Sequence, residues 1–115
     1  MTSYEQQHRH RLFLLLTELE QALKSLDLWQ LNRPTEQALA SQMPFAIDTL
    51  SFPEWLQFIF IEKMSQILQL GLPLPQKMAI TAMASEYFKV QLINSDMIID
   101  VITRIDLHIN ETNKC

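Results

Sequence analysis

The chain has 115 residues, 48% of them hydrophobic and 19% charged, with a formal net charge of −4 and a single glycine, Gly71. One domain is the expectation at this length, and the hydrophobic share can fill a core without metal or disulfide staples, so a wholly disordered chain is excluded. One glycine leaves too few positive-φ turns for a β-sandwich or barrel and no phosphate-binding loop, and the acidic balance argues against a dedicated nucleic-acid binder.

The only cysteine is Cys115, the last residue. A lone thiol cannot form an internal disulfide, which fits a reducing compartment, and an incidental exposed residue is a plainer reading than a reactive thiol. The apolar run from Leu12 to Leu16 is too short for a signal segment, and no stretch approaches 18 uninterrupted apolar residues. A cytoplasmic location without membrane insertion is expected.

Leu12, Leu16, Leu19, Leu23 and Leu26 recur at alternating steps of four and three, which predicts a first helix from about Tyr4 to Leu31, stopped by Pro34. Pro34 suits an early position of a short second helix, which Ala38, Leu39 and Ala40 carry to about Gln42 before Pro44 ends it. The stretch Pro44 to Leu50 is too short and interrupted for a strand and reads as a loop or helical turn. Ser51 and Glu54 then form a capping box, with Pro53 tolerated in the first turn.

The helix from Trp55 to Leu70 is the most apolar of the chain, on more than one face, and should be the central one. Gly71 supplies its left-handed C-terminal position and Pro73 blocks continuation. Pro75 opens a helix to about Phe88. Asn94 or Ser95 caps the last, in which Ile98, Ile102, Ile105 and Ile109 repeat the helical step. Met64, Met78, Met83 and Met97 fall where the core is expected. The whole reads as an all-α fold, a single-domain helical bundle of four main helices plus one short helix, over residues 1–115.

No set of residues assembles chemistry. His8 and His10 point about 200° apart on a helix, and His108 has no second histidine at helical spacing, so neither a metal site nor a cofactor is expected and the histidines read as solvated. Glu18 with Glu20, and Asp100 with Asp106, do not share a face and read as solvated carboxylates. The basic run His8 to Arg11 reads as the polar lead-in of the first helix. No catalytic residue is identified, and the chain is read as a non-enzyme.

One segment stands apart. Pro44, Phe45, Asp48, Thr49, Trp55 and Gln57 combine aromatics, one carboxylate and rigidifying prolines close to a helix start, which marks a candidate interaction surface. The plainer reading has Asp48 folding its own loop by accepting backbone N–H bonds.

The same segment carries a resemblance. Pro44-Phe45, Asp48-Thr49, Phe52, Trp55-Leu56-Gln57 and Phe60-Ile61, with Glu20, Leu23, Trp29, Ala38-Leu39-Ala40-Ser41, Leu72-Pro73 and Met83, make the chain similar to the YqcC-like family of small bacterial proteins of unknown function. The pattern departs at Ala82 and Ser85, where family members tend to carry a proline and an acidic residue. The resemblance implies a compact helical bundle and no assigned activity. Members are often encoded beside a tRNA pseudouridine synthase, which implies an association with tRNA modification and names that enzyme as a candidate partner. A protein-interaction or adaptor module is the expected function, with a protein partner or a second copy of the chain bound and no direct nucleic-acid binding. The alternative is a binder of a small apolar or amphipathic ligand between helices.

Overall fold

A computed structural model describes residues 3–111. All regular elements among them are helical: α1 (Ser3–Ser25), α2 (Glu36–Leu39), a short 3₁₀ turn (Pro44–Ala46), α3, α4 (Thr81–Lys89) and α5 (Asp96–Glu111). The rod α3 runs without a break through Phe52–Trp55, a π-helical turn at Leu56–Ile61, and Glu62–Leu70. Cys115 lies outside the described residues. No helix among these residues is long and apolar enough to cross a membrane.

The core is the one the periodicity marks. Leu12, Leu16, Leu19 and Leu23 of α1 meet Ile98, Ile102, Ile105 and Ile109 of α5, and all eight are buried. Phe52, Leu56, Phe60, Ile61 and Met64 close the core from α3, and Ala84 and Phe88 from α4. Removing a side chain as deep as Leu19 would cost about 2–5 kcal/mol. Met78 and Met83 only flank this core. Met97, read as a core residue, is 68% exposed, because the α5 stripe through Ile98 turns its neighbour outward.

Helix ends differ from expectation where backbone groups find better partners than the helical ladder. α1 stops six residues before Leu31, not at Pro34: Asp27 turns left-handed (φ 58°), and Leu28 and Asp27 donate their N–H groups to the carbonyls of Leu23 and Lys24. The chain beyond is pinned by Gln57, which accepts from the N–H of Gln30 at 2.8 Å and donates to its carbonyl at 2.9 Å. In α2 the cap is Thr35, whose hydroxyl accepts from Ala38 N–H, so Pro34 precedes the helix.

The capping box of Ser51 and Glu54 forms in both directions. Gly71 ends α3 at φ 67°, with the same pair of closing bonds as at Asp27, from Gly71 to Leu68 and from Leu72 to Ile67.

The largest departure lies between Pro75 and Thr81. No helix starts at Pro75, because α5 captures the backbone there. Asn110 pairs with both the N–H and the carbonyl of Met78, and Asp106 accepts from the N–H groups of Ile80 and Thr81. Residues 75–80 therefore stay outside any helix, and Asp106 caps α4 at Thr81. At α5, Asn94 Oδ1 accepts from Asp96 N–H, while Ser95 supplies the carbonyl of the first helical bond, from Ile99.

Candidate interaction surface

Phe45, Trp55 and Gln57 sit on a base of packed rings. The Trp55 indole lies 4.8 Å from Phe45 edge-on, 6.0 Å from Phe52 and 5.6 Å from Phe60. Phe52 carries the cluster to Tyr87 and Phe88 of α4. Pairs at these separations are each worth about 0.5–1.5 kcal/mol beyond burial, so the base is rigid.

Two backbone irregularities meet on this base. Phe45 (φ 56°) and Ala46 (φ 48°) are consecutive non-glycine residues in the left-handed region. Each such residue costs about 1–3 kcal/mol, and strain of this kind persists only where surrounding structure over-determines it and concentrates at functional sites. Here the Phe45 ring, docked on Trp55, and the buried Ala46 supply that surrounding structure. The second irregularity is the π-helical turn, which starts directly after Trp55. Single π turns in helices also favour functional positions. The strained turn aims Met43 (52% exposed) and Ile47 (58% exposed) outward on either side of it.

The other candidate residues divide between surface and scaffold. Pro44, Asp48 and Thr49 are exposed, Phe45 and Trp55 half-buried, and Gln57 buried on Gln30. Asp48 accepts the hydroxyl of Ser41, whose own oxygen accepts from Met43 N–H, and Thr49 donates to the carbonyl of Ala38 at 2.7 Å. Asp48 therefore braces its loop through a side-chain hydroxyl rather than through the backbone N–H groups expected of it. Exposed Met43 and Ile47 went unmarked, since nothing in their spacing distinguishes an apolar loop residue that packs from one that does not.

The histidines also depart from expectation. His8 and His108, 100 residues apart, stack with ring centroids 3.8 Å apart and planes inclined by 18°. His108 is buried and its Nε2 lies 2.8 Å from the carbonyl of His8. A carbonyl only accepts, so that nitrogen carries the hydrogen. Burial, then the neighbouring His108, hold His8 below the ordinary imidazole pKa, with Glu111 opposing and Arg9 adding a smaller lowering. Neither ring is a freely solvated side chain. The pair borders a cleft of about 500 Å³ between α1 and α5, lined also by Tyr4, Arg11, Arg104 and Glu111.

Of the carboxylates, Glu18 and Asp100 both pair with Arg104, at 2.6 and 3.0 Å, and Glu20 pairs with Lys24. Asp106, expected to be solvated, is buried as the cap of α4. From the basic run, Arg9 donates to the carbonyls of Ile67 and Leu72, closing the end of α3. Among the described residues no three His, Cys, Asp or Glu side chains gather as metal ligands would.

Comparison with known proteins matches residues 11–108 to the family model DUF446, described as tRNA pseudouridine synthase C. An uncharacterised protein of Haemophilus influenzae is 42% identical over 74 residues, 64% of this chain and 70% of that one. Uncharacterised protein YqcC of Escherichia coli is 34% identical over 70 residues, 61% of this chain and 64% of that one. A tRNA pseudouridine synthase C of Pectobacterium carotovorum is 39% identical over 74 residues, which are 64% of this chain but only 19% of that protein. The solution NMR structure of Escherichia coli YqcC superposes with a TM-score of 0.74 at 26% identity, covering 90% of this chain and 89% of that one.

Proposed function

We infer that the chain, which belongs to the DUF446 family, is a non-catalytic helical adaptor that docks on a tRNA pseudouridine synthase through the strained 43–50 turn and the start of α3. The observation that carries this reading is the pair of contexts in which similar segments occur. One is small proteins such as that of Haemophilus influenzae, and the other is a 19% portion of a longer chain named as the synthase. Tethering two modules raises their effective mutual concentration to about the millimolar range. A module that occurs both tethered and free fits one that binds the same enzyme in both settings.

The surface suits that role. Met43 and Ile47 present apolar area on a turn already fixed by packing, so little ordering entropy opposes docking. The net charge of −4 favours the protein over its tRNA as the contact, since phosphate binding takes clustered cations.

The test mixes the purified chain with the purified tRNA pseudouridine synthase C of the same genome and follows sedimentation and pseudouridine formation. A stoichiometric complex is expected, weakened about tenfold or more by Ile47→Asp, a loss on the scale of a central anchor. No complex at about 50 μM, in the range of weak encounters, together with unchanged modification, ends the reading.

A second reading, a binder of a small ligand between helices, has the cleft of about 500 Å³ in its favour, a size within the usual range for ligand sites. A metabolite released from the native protein on denaturation would move the conclusion there.

A further inference from the structure

The first turns of α1 are held to the rest of the molecule in an unusual way. Residues 3–7 are all exposed, and the first buried apolar side chain of the helix is Leu12. Ahead of Leu12, the His8 ring lies on His108, and the Arg9 guanidinium donates to the carbonyls of Ile67 and Leu72. The fastening is polar and titratable where helices are normally held by an apolar stripe. Arg9 keeps its charge at every relevant pH, so of these two attachments the histidine stack is the one that can respond to protons.

We propose that the His8–His108 stack is an acid-sensitive latch that holds the first two turns of α1 against α5 at neutral pH and releases them on protonation. Three geometric facts make the stack intolerant of charge. The rings lie face to face at 3.8 Å, so charging both sets two cations in contact. His8 Nε2 is buried with no hydrogen-bond partner among the described residues, so a proton there adds an N–H with no acceptor. His108 Nε2 already donates to the carbonyl of His8, so that ring can take a further proton only by becoming a cation.

The charged neighbours set the balance. From α1 they are Glu5, Arg9 and Arg11, and from α5 Arg104 and Glu111. The third wall, Pro73 to Gln76, brings no titratable group. Arg104 is engaged by Glu18 and Asp100, which leaves Glu111 as the carboxylate on α5 facing the pair. Because the latched state holds the His8 pKa down, the released state takes up the proton more readily. The latch is closed above about pH 6.5, the free imidazole value, and opens as pH falls below it. Release takes Tyr4 and His8 off the α1–α5 cleft, which buried Leu15 lines beside the already exposed Leu107. The device operates independently of docking at the 43–50 turn.

The test is amide hydrogen exchange of the full chain, compared as protection factors at about pH 7.5 and pH 5, with both imidazoles titrated by NMR. Residues 7–11 should lose protection about three- to tenfold at the lower pH while amides from Leu16 onward keep theirs. His8→Phe keeps a flat ring on His108 but cannot take a proton, so its protection at residues 7–11 should be independent of pH. Unchanged protection in the wild-type chain, or a wild-type response that persists in His8→Phe, overturns the latch. If that variant does not fold, the wild-type titration decides: a His8 ring that titrates at or above the free value removes the latch, and one below it with matching loss of protection upholds it.

Discussion

The carboxylate of Asp106 on α5 and the backbone of Thr81 on α4 are joined by a cap that no local sequence rule describes. Asp106 Oδ2 accepts from the N–H of Thr81 at 2.8 Å, from its hydroxyl at 2.7 Å and from the N–H of Ile80 at 2.8 Å. The residue before α4, Ile80, has no capping side chain of its own. One buried carboxylate supplied from 25 residues away thus satisfies donors that the helix itself leaves unpaired and favours the positive end of the helix dipole.

Replacing Asp106 by Ala leaves two backbone donors buried or half-buried without an acceptor. The expected destabilisation is about 2–4 kcal/mol, since bonds to a charged acceptor are worth about 1.5–3 kcal/mol each and the cap acts as one unit. Asp106→Asn, which keeps an acceptor oxygen and loses the charge, should cost about half as much. Urea melts compare the three proteins, and equal stability of wild type and Asp106→Ala would show that α4 needs no cap from α5.

The two left-handed helix ends should respond to substitution with opposite signs. Gly71 sits at φ 67°, and a Cβ there would meet no atom within 4 Å, so Gly71→Ala or Gly71→Val carries backbone strain alone, about 1 kcal/mol or somewhat more for the branched residue. Asp27 already bears that strain at φ 58°. Asp27→Gly should therefore raise stability by a few tenths to about 1 kcal/mol. Thermal melts of both variants check the pair.

In the candidate surface, scaffold and contact roles separate by substitution. Asp48 is exposed and its bond to Ser41 survives as an acceptor in Asp48→Asn, so that change should cost under about 1 kcal/mol. Trp55→Ala removes the centre of the ring cluster and should cost about 2–4 kcal/mol, below the value for a fully buried tryptophan. Ile47→Asp, at an exposed position, should leave the melt unchanged within about 0.5 kcal/mol while weakening synthase binding. A melt of Ile47→Asp displaced as far as that of Trp55→Ala would make the turn part of the core.

Global stability should depend on pH through His8. Its pKa is lowered in the folded chain, mainly by burial and next by His108, so the unfolded chain binds the proton more readily. Stability is then fully present above the unfolded value of about 6.5 and declines as pH falls below it. Urea midpoints between pH 8 and pH 5 in wild type and His8→Phe should diverge on the acid side only, at about pH 6 and below.

The bundle was legible in the sequence because each helix carries its own evidence. The leucines of α1 and the isoleucines of α5 mark buried stripes by period alone, and the Ser51–Glu54 box and Gly71 mark ends that depend only on residues three or four apart. The 44–57 segment also stood out locally, by its mix of aromatics, prolines and one carboxylate.

What tertiary structure decided were the contacts between residues distant in sequence. Asp106 and Asn110 hold residues 78–80 out of the helix expected from Pro75, Gln57 holds Gln30, and His108 lies on His8. Whether a carboxylate is solvated or caps a helix, and whether two histidines are solvated or press together, depends on which surfaces the core brings into contact. Burying the α1 and α5 stripes against each other carries their polar residues along, and the partners those residues then meet are set by packing geometry rather than by spacing along the chain.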